Sequence, residues 1–196
     1  MARNPERRTA LVDAAIEVLA HEGARGLTFR AVDSGAGVPL GTASNYFTNR
    51  DDLFMQAGAR INHRMTPDAT EVEQVMLPAP SRELVTALMH WLVQRMADDR
   101  VGYLAMLELR LEATRRPALR KRLTETVRAE FDQSGAFHSE AGLPGDADTF
   151  LVLHLAMTGL LLEHLTLPDM LSDTALDRLV DIVVTALVPP HEPDGP

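Results

Sequence analysis

The chain has no cysteine among its 196 residues. Disulfides, thiolate metal sites and a cysteine nucleophile are therefore excluded. No run approaches the roughly 18 apolar residues that a membrane helix needs. The N-terminus, MARNPERR, is charged where a signal peptide would be apolar. A soluble, cytoplasmic protein with no membrane partner is expected. Catalytic constellations are missing as well. Ser134 and Ser139 have no nucleophile elbow around them. His90, His154 and His164 lack metal-ligand spacing, and there is no His-Glu-x-x-His. An enzyme is not expected, and nothing calls for a metal or a cofactor. No segment alternates as a strand, and no repeat is visible.

What is present suits a globular helical protein. Hydrophobic residues make up 45% and charged residues 24%, enough apolar surface for a sizeable core. The net charge of −9 argues at first against nucleic acid. Its distribution says otherwise. Residues 1–50 hold six Arg against five acids, which gives +1, so the remainder carries −10. Arginines clustered on one face of such a head can still hold DNA.

Helical periodicity dominates the chain. Leu11, Ala14, Ala15, Val18 and Leu19 share one face of a first helix, which Gly23 and Gly26 stop. Thr28 is a good N-cap for a short second helix over 29–36. Gly37 ends it, and Leu40–Phe47 reads as a third short helix after Pro39. Thr48 and Asp51 have capping-box spacing ahead of a fourth helix that runs to about Pro67. The segment 67–80, with a proline at each end, reads as a loop. Ser81 reads as the cap of a fifth helix with Leu84, Leu88, Trp91, Leu92 and Met96 inward, and further helices are expected over 101–115, 117–139, 146–165 and 172–187. The tail from 189 to 196 reads as disordered. The fold class is all-α. A three-helix head of residues 1–50 precedes a larger helical bundle of residues 51–188, with the fourth helix as the joint.

The block from Thr28 to Leu53 is the informative one. Two short helices meet at the tight turn Gly35-Ala36-Gly37-Val38-Pro39, as a helix-turn-helix requires. Val32 and Val38 can fill the small core between them. The strings GLTFRAV, AGVPLGTASNYF and NRDDLF resemble the DNA-binding domain of the tetracycline-repressor (TetR/AcrR) family. The resemblance implies a transcriptional repressor that binds a palindromic operator as a homodimer and lets go when a small-molecule effector binds. It implies that Thr28 and Arg30 touch phosphate or a base edge. Pro39, Leu40, Gly41, Thr42, Ser44 and Asn45 would face the groove, Tyr46 would contact the backbone and Arg50 would hold a phosphate. Elementary chemistry agrees, since Arg pairs with guanine and Asn with adenine in the major groove. Arg3, Arg7 and Arg8 read as a basic N-terminal arm.

Three positions depart from the family pattern. Arg50 stands where Lys is usual, and Ser44 where Tyr is usual. Asp33 stands where a small residue is usual, so it either faces solvent or caps a neighbouring helix. These two, Ser44 and Asp33, also leave open a helical protein–protein adaptor that no longer binds DNA.

The eighth expected helix, from Thr149 to Leu165, is apolar nearly all round, with Ala156 and Gly159 permitting close approach. It is either the core of the monomer or, as the resemblance implies, paired with the ninth helix and their two-fold mates. The resemblance also places the effector among the fifth to eighth helices. Trp91, Met96, Met106, Leu109, Phe150, His154 and Met157 are the candidate lining, and nine methionines suit an adaptable apolar cavity. His154 is either a polar anchor there or a hydrogen-bonded core histidine. The alternating charges from Glu108 to Arg122 read as a solvated helix pair laced with ion pairs.

Overall fold

The structure, a computed structural model, describes residues 4–190. Arg3 and the tail beyond 190 lie outside the described residues. Among the described residues the chain is all-α, with nine α-helices, one short 3-10 turn and no strand. It packs as two compact units. The first comprises residues up to Thr66 together with Asp99–Val127, and the second Pro67–Asp98 with the chain from Arg128 onward.

The first unit is built on α1 (Pro5–Gly26), α2 (Phe29–Gly35), α3 (Arg50–Met65) and α6 (Arg100–Ala113). Asn4 caps α1 by accepting from the amides of Glu6 and Arg7, with Pro5 at the first helical position. Arg7 and Arg8 therefore lie in the first turns of a helix rather than in a loose arm. Leu11, Ala15, Ile16 and Leu19 bury the inner face of α1 against Val32, Phe47, Leu53, Phe54 and Leu109. The helix breaks at Gly23, whose φ of 69° a side chain would strain. Beyond the break, the Glu108 carboxylate accepts from the Ala24 amide at 3.2 Å.

The end of α3 is held by charge. Arg60 is bidentate to Asp13 at 2.9 and 3.1 Å. Arg64 pairs with Asp99, which also caps α6 by accepting from the Gly102 amide at 3.1 Å. Losing Asp99 removes a cap and leaves Arg64 without that partner. Asp99→Ala should destabilise the protein by about 2 kcal/mol in urea unfolding, and Arg64→Ala by roughly half of that.

The second unit contains α4 (Ala69–Val75), α5 (Arg82–Asp98), α8 (Ala147–Thr166) and α9 (Asp173–Leu187). The remaining helix, α7 (Pro117–Glu140), contributes to both units. Ser81, Asp146 and Ser172 cap α5, α8 and α9, as their residue types dictate. Leu153, Met157, Leu161 and Leu165 bury a narrow stripe of α8, and Leu176, Val180 and Val184 do the same on α9. These helices pack on each other and on α5. His90 of α5 meets Asp181 at 2.8 Å and Asp177 at 3.5 Å on α9.

Four expectations are corrected. Leu40–Phe47 is not an α-helix; only Ala43–Asn45 turns helically, as a 3-10 element, because Gly41 takes φ 90°. The segment 67–80 is not all loop. It contains α4, opened by a capping box of Asp68 and Glu71. The cap of α3 is Asn49, which accepts from the Asp52 amide at 2.9 Å, rather than Thr48. Finally, α8 is 20 residues long and holds an 18-residue stretch of mean hydropathy 1.4, long and apolar enough by length and composition to cross a membrane, a test that the core helix of a bundle also passes. Its single Glu and two His interrupt the apolar run without lowering the average far.

Candidate nucleic-acid interface

Thr28 starts the site. Its hydroxyl accepts from the Ala31 amide at 3.1 Å and so opens α2. Arg30 follows on the exposed side, while Val32 and Asp33 point inward. Asp33 is 1% exposed and carries the geometry of what comes next. One carboxylate oxygen accepts from the Gly41 amide at 2.7 Å and the other from the Ala43 amide at 2.6 Å. Of the two readings left by the sequence, Asp33 faces inward and caps the following turn. Two short charge-assisted bonds therefore fix the backbone from 41 to 43.

The turn then folds onto itself. The Ser44 hydroxyl donates to the Gly41 carbonyl at 2.7 Å, and the Asn45 amide group to the same oxygen at 3.2 Å. The Thr42 hydroxyl donates to the Pro39 carbonyl. Pro39, Leu40, Gly41, Ser44 and Asn45 are exposed, and Thr42 is half-buried. Tyr46 is buried, as is Phe47, whose ring lies 6.4 Å from that of Phe29. Arg50 is half-buried. Its guanidinium donates to the Ala24 carbonyl and lies over the Phe54 ring at 5.2 Å.

Beside the turn, Arg8 donates to Gln56 at 2.8 Å, and Gln56 donates to Asp52 at 2.7 Å. Asp52 also accepts from the Thr48 amide at 2.9 Å. Burial works against its charge, yet the Thr48 amide, the Gln56 carboxamide and nearby Arg8 together hold the Asp52 carboxyl below its ordinary value. The result is a rigid scaffold under an exposed, non-helical turn. Arg7 and Arg30 are exposed.

The expected effector residues do not share one unit. Met106 and Leu109 belong to the first unit. Leu109 lines a cavity of about 180 Å³ with Phe54, Gly58, Asn62, Leu119 and Arg122. Trp91, Met96, Phe150, His154 and Met157 belong to the second. There Met96 and Met157 are buried, and Arg95 lies over the Trp91 ring at 4.9 Å. Phe150 and His154 of α8 meet Phe131 of α7 at ring distances of 5.2 and 5.1 Å. His138, absent from the expected set, joins this cluster 5.5 Å from Phe150.

His138 is buried, and burial pushes its pKa down, partly countered by the Pro144 carbonyl 3.2 Å from Nε2. The unfolded chain therefore takes the proton more readily. The stability this neutral histidine contributes is complete above its ordinary value of 6.5 and is lost as pH falls through the lower folded value. In urea titrations followed by Trp91 fluorescence, His138→Phe should show a shallower loss of midpoint below pH 6.5 than the unmodified protein.

Comparison with known proteins closes the description. Residues 80–190 match the tetracyclin repressor-like C-terminal domain, and residues 11–57 match the bacterial regulatory proteins of the tetR family. The nicotine-responsive transcriptional repressor HdnoR of Paenarthrobacter nicotinovorans is 27% identical over 65% of this chain and 64% of its own length. The transcriptional regulator BetI of Agrobacterium fabrum is 30% identical over 44% of this chain and 41% of its own. The chain thus spans under two thirds of each of these relatives. Among solved structures, a TetR-family member from Streptomyces coelicolor A3 aligns with TM-score 0.71 at 31% identity, covering 94% of this chain and 99% of that one. The multidrug binding protein EbrR aligns with TM-score 0.69 at 30% identity, covering 96% and 98%.

Proposed function

The chain belongs to the tetracycline-repressor family of transcriptional regulators, and from that premise we propose that it is a repressor that binds a palindromic operator as a homodimer and leaves it when a small molecule binds. The observation that carries the DNA half of this reading is the exposed turn from Pro39 to Asn45, held rigid from beneath by Asp33. Arg30 would supply charge to phosphate, Thr28 a hydroxyl beside it, and, at base edges, Ser44 an accepting oxygen and Asn45 the part of its carboxamide not bonded to Gly41. Tyr46 and Arg50 act differently in this proposal. Tyr46 is buried, and Arg50 is half-buried with its guanidinium on the Ala24 carbonyl, so both support the turn, and Arg50 reaches a phosphate only by giving up that carbonyl.

The dimer half rests on α8. Leu151, Leu155 and Leu162 are exposed on the side roughly 120° round the helix from its buried stripe. No atom lies within 4 Å of where a Gly159 side chain would begin. Only 22% of this apolar helix is buried within the chain. A two-fold mate would cover the rest, with Ile182 of α9 joining the contact.

EbrR has been crystallised with ethidium, with proflavin and with malachite green. For the present chain, the ring cluster of Phe131, His138, Phe150 and His154 supports a flat apolar effector. Such a molecule releases DNA only if it binds the DNA-incompetent state more tightly.

The test is fluorescence anisotropy with the DNA that flanks the protein's own gene, over a salt series. Tight binding that weakens steeply with salt and exceeds binding to random duplex is the predicted result. Binding to no duplex at low salt would instead favour the adaptor.

A further inference from the structure

We propose that Leu40 sets operator specificity by packing its side chain against the C5-methyl group of one thymine in each half-site. The inference rests on the assignment of the Pro39–Asn45 turn as the DNA-reading element. It follows from where the turn sends its hydrogen-bond donors.

At the tip, Pro39 has no N–H, Leu40 has no polar side chain and Gly41 has no side chain at all. The Gly41 amide is consumed by Asp33, as is that of Ala43 two residues on. The hydroxyls of Thr42 and Ser44 and one N–H of Asn45 are spent on carbonyls inside the turn. The tip is thus poor in donors. What stands out from it is Leu40, 65% exposed.

A lone exposed leucine is ordinary on a protein surface. This one crowns a turn whose backbone a buried carboxylate fixes, so its position is set before DNA arrives. Preorganisation of that kind serves recognition rather than folding, because most of the Leu40 side chain stays in water in the free protein. In the major groove, hydrogen-bonding groups dominate the base edges, and thymine alone among the four bases adds an apolar group, its methyl. A donor-poor apolar tip is complementary to that group. It is a poor match for guanine or adenine edges, whose acceptors would be desolvated without replacement.

The experiment begins by selecting preferred sites from a random duplex library with the full-length protein. Each thymine of the selected operator is then replaced by deoxyuridine, which deletes only the methyl. At one thymine per half-site the substitution should weaken binding by roughly fourfold, the effect of burying one methyl group, and by roughly 15-fold when both half-sites are changed. Leu40→Ala should bind the thymine and uracil operators equally, with the same salt dependence as the unmodified protein. An operator indifferent to uracil at every position would overturn the assignment, as would a Leu40→Ala protein that keeps the uracil penalty. Both outcomes leave DNA binding itself intact. A selection that enriches no sequence would remove the DNA-binding reading, and this inference with it.

Discussion

Asp33→Ala should abolish specific operator binding while leaving the second unit folded. The carboxylate is 1% exposed and accepts two amides at 2.7 and 2.6 Å. Its removal leaves both N–H groups without their partner, at about 1–3 kcal/mol for the buried Ala43 amide and less for that of exposed Gly41. Ala43 is fully buried, so its amide cannot turn to water without moving the chain. The backbone from 41 to 43 then loses its anchor, and the exposed side chains lose their common geometry. Anisotropy on the selected operator should show a loss of at least roughly 100-fold, the order that two orphaned donors imply. Asn at this position offers one acceptor oxygen and puts an NH2 group against the second amide. Asp33→Asn should therefore fall between the two. Trp91 is the only tryptophan in the chain and lies in the second unit, so its fluorescence reports whether that unit stays folded. Unchanged operator affinity in Asp33→Ala would remove the proposed role.

Leu155→Glu should convert a dimer into a monomer of 21.5 kDa in sedimentation. Leu155 is 59% exposed and lies opposite the buried stripe of Leu153, Met157, Leu161 and Leu165. A charge there costs the monomer little, because the group stays in water. In a two-fold interface it would be buried near its own symmetry mate, and like charges without partners are expelled from such contacts. Thermal unfolding of the monomeric variant should proceed without the concentration dependence expected of the proposed dimer. Operator affinity should drop by at least roughly 100-fold, since one reading turn holds one half-site and the second contact is no longer tethered. A variant that sediments as the unmodified protein does would relocate the interface away from α8.

Much of the fold could be read from the residues. The caps Thr28, Ser81, Asp146 and Ser172 are each short polar side chains ahead of apolar periodicity, and each opens a helix. The helix-turn-helix region was legible for the same reason, with Gly and Pro marking its turn. The failures have physical causes. Gly41 sits inside a plausible helical pattern, and nothing local says that it takes a positive φ. The partners of Asp33 lie eight and ten residues ahead of it, so its role exists only once the turn is folded. The prolines around 67–80 hid the capping box of Asp68 and Glu71.

The effector region was less legible. Met, Leu and Trp have the same helical spacing whether they fill a core or line a cavity. Met96 and Met157 are buried, and Met106 and Leu109 lie in the other unit. His138 escaped notice because only Ala136 and Phe137 precede it in a stretch of α7 that is otherwise polar or small, with no apolar run around it. Its place beside Phe150 emerges only when α7 and α8 pack.

The central claim is that two copies of this chain read a two-fold symmetric operator, each through its turn from Pro39 to Asn45. Hydroxyl-radical footprinting of the selected operator tests this most directly. The account predicts two protected patches related by a dyad and centred about one helical turn, roughly 34 Å, apart. In Asp33→Ala, both should vanish together. A single protected patch, or two patches that persist in Asp33→Ala, would contradict it.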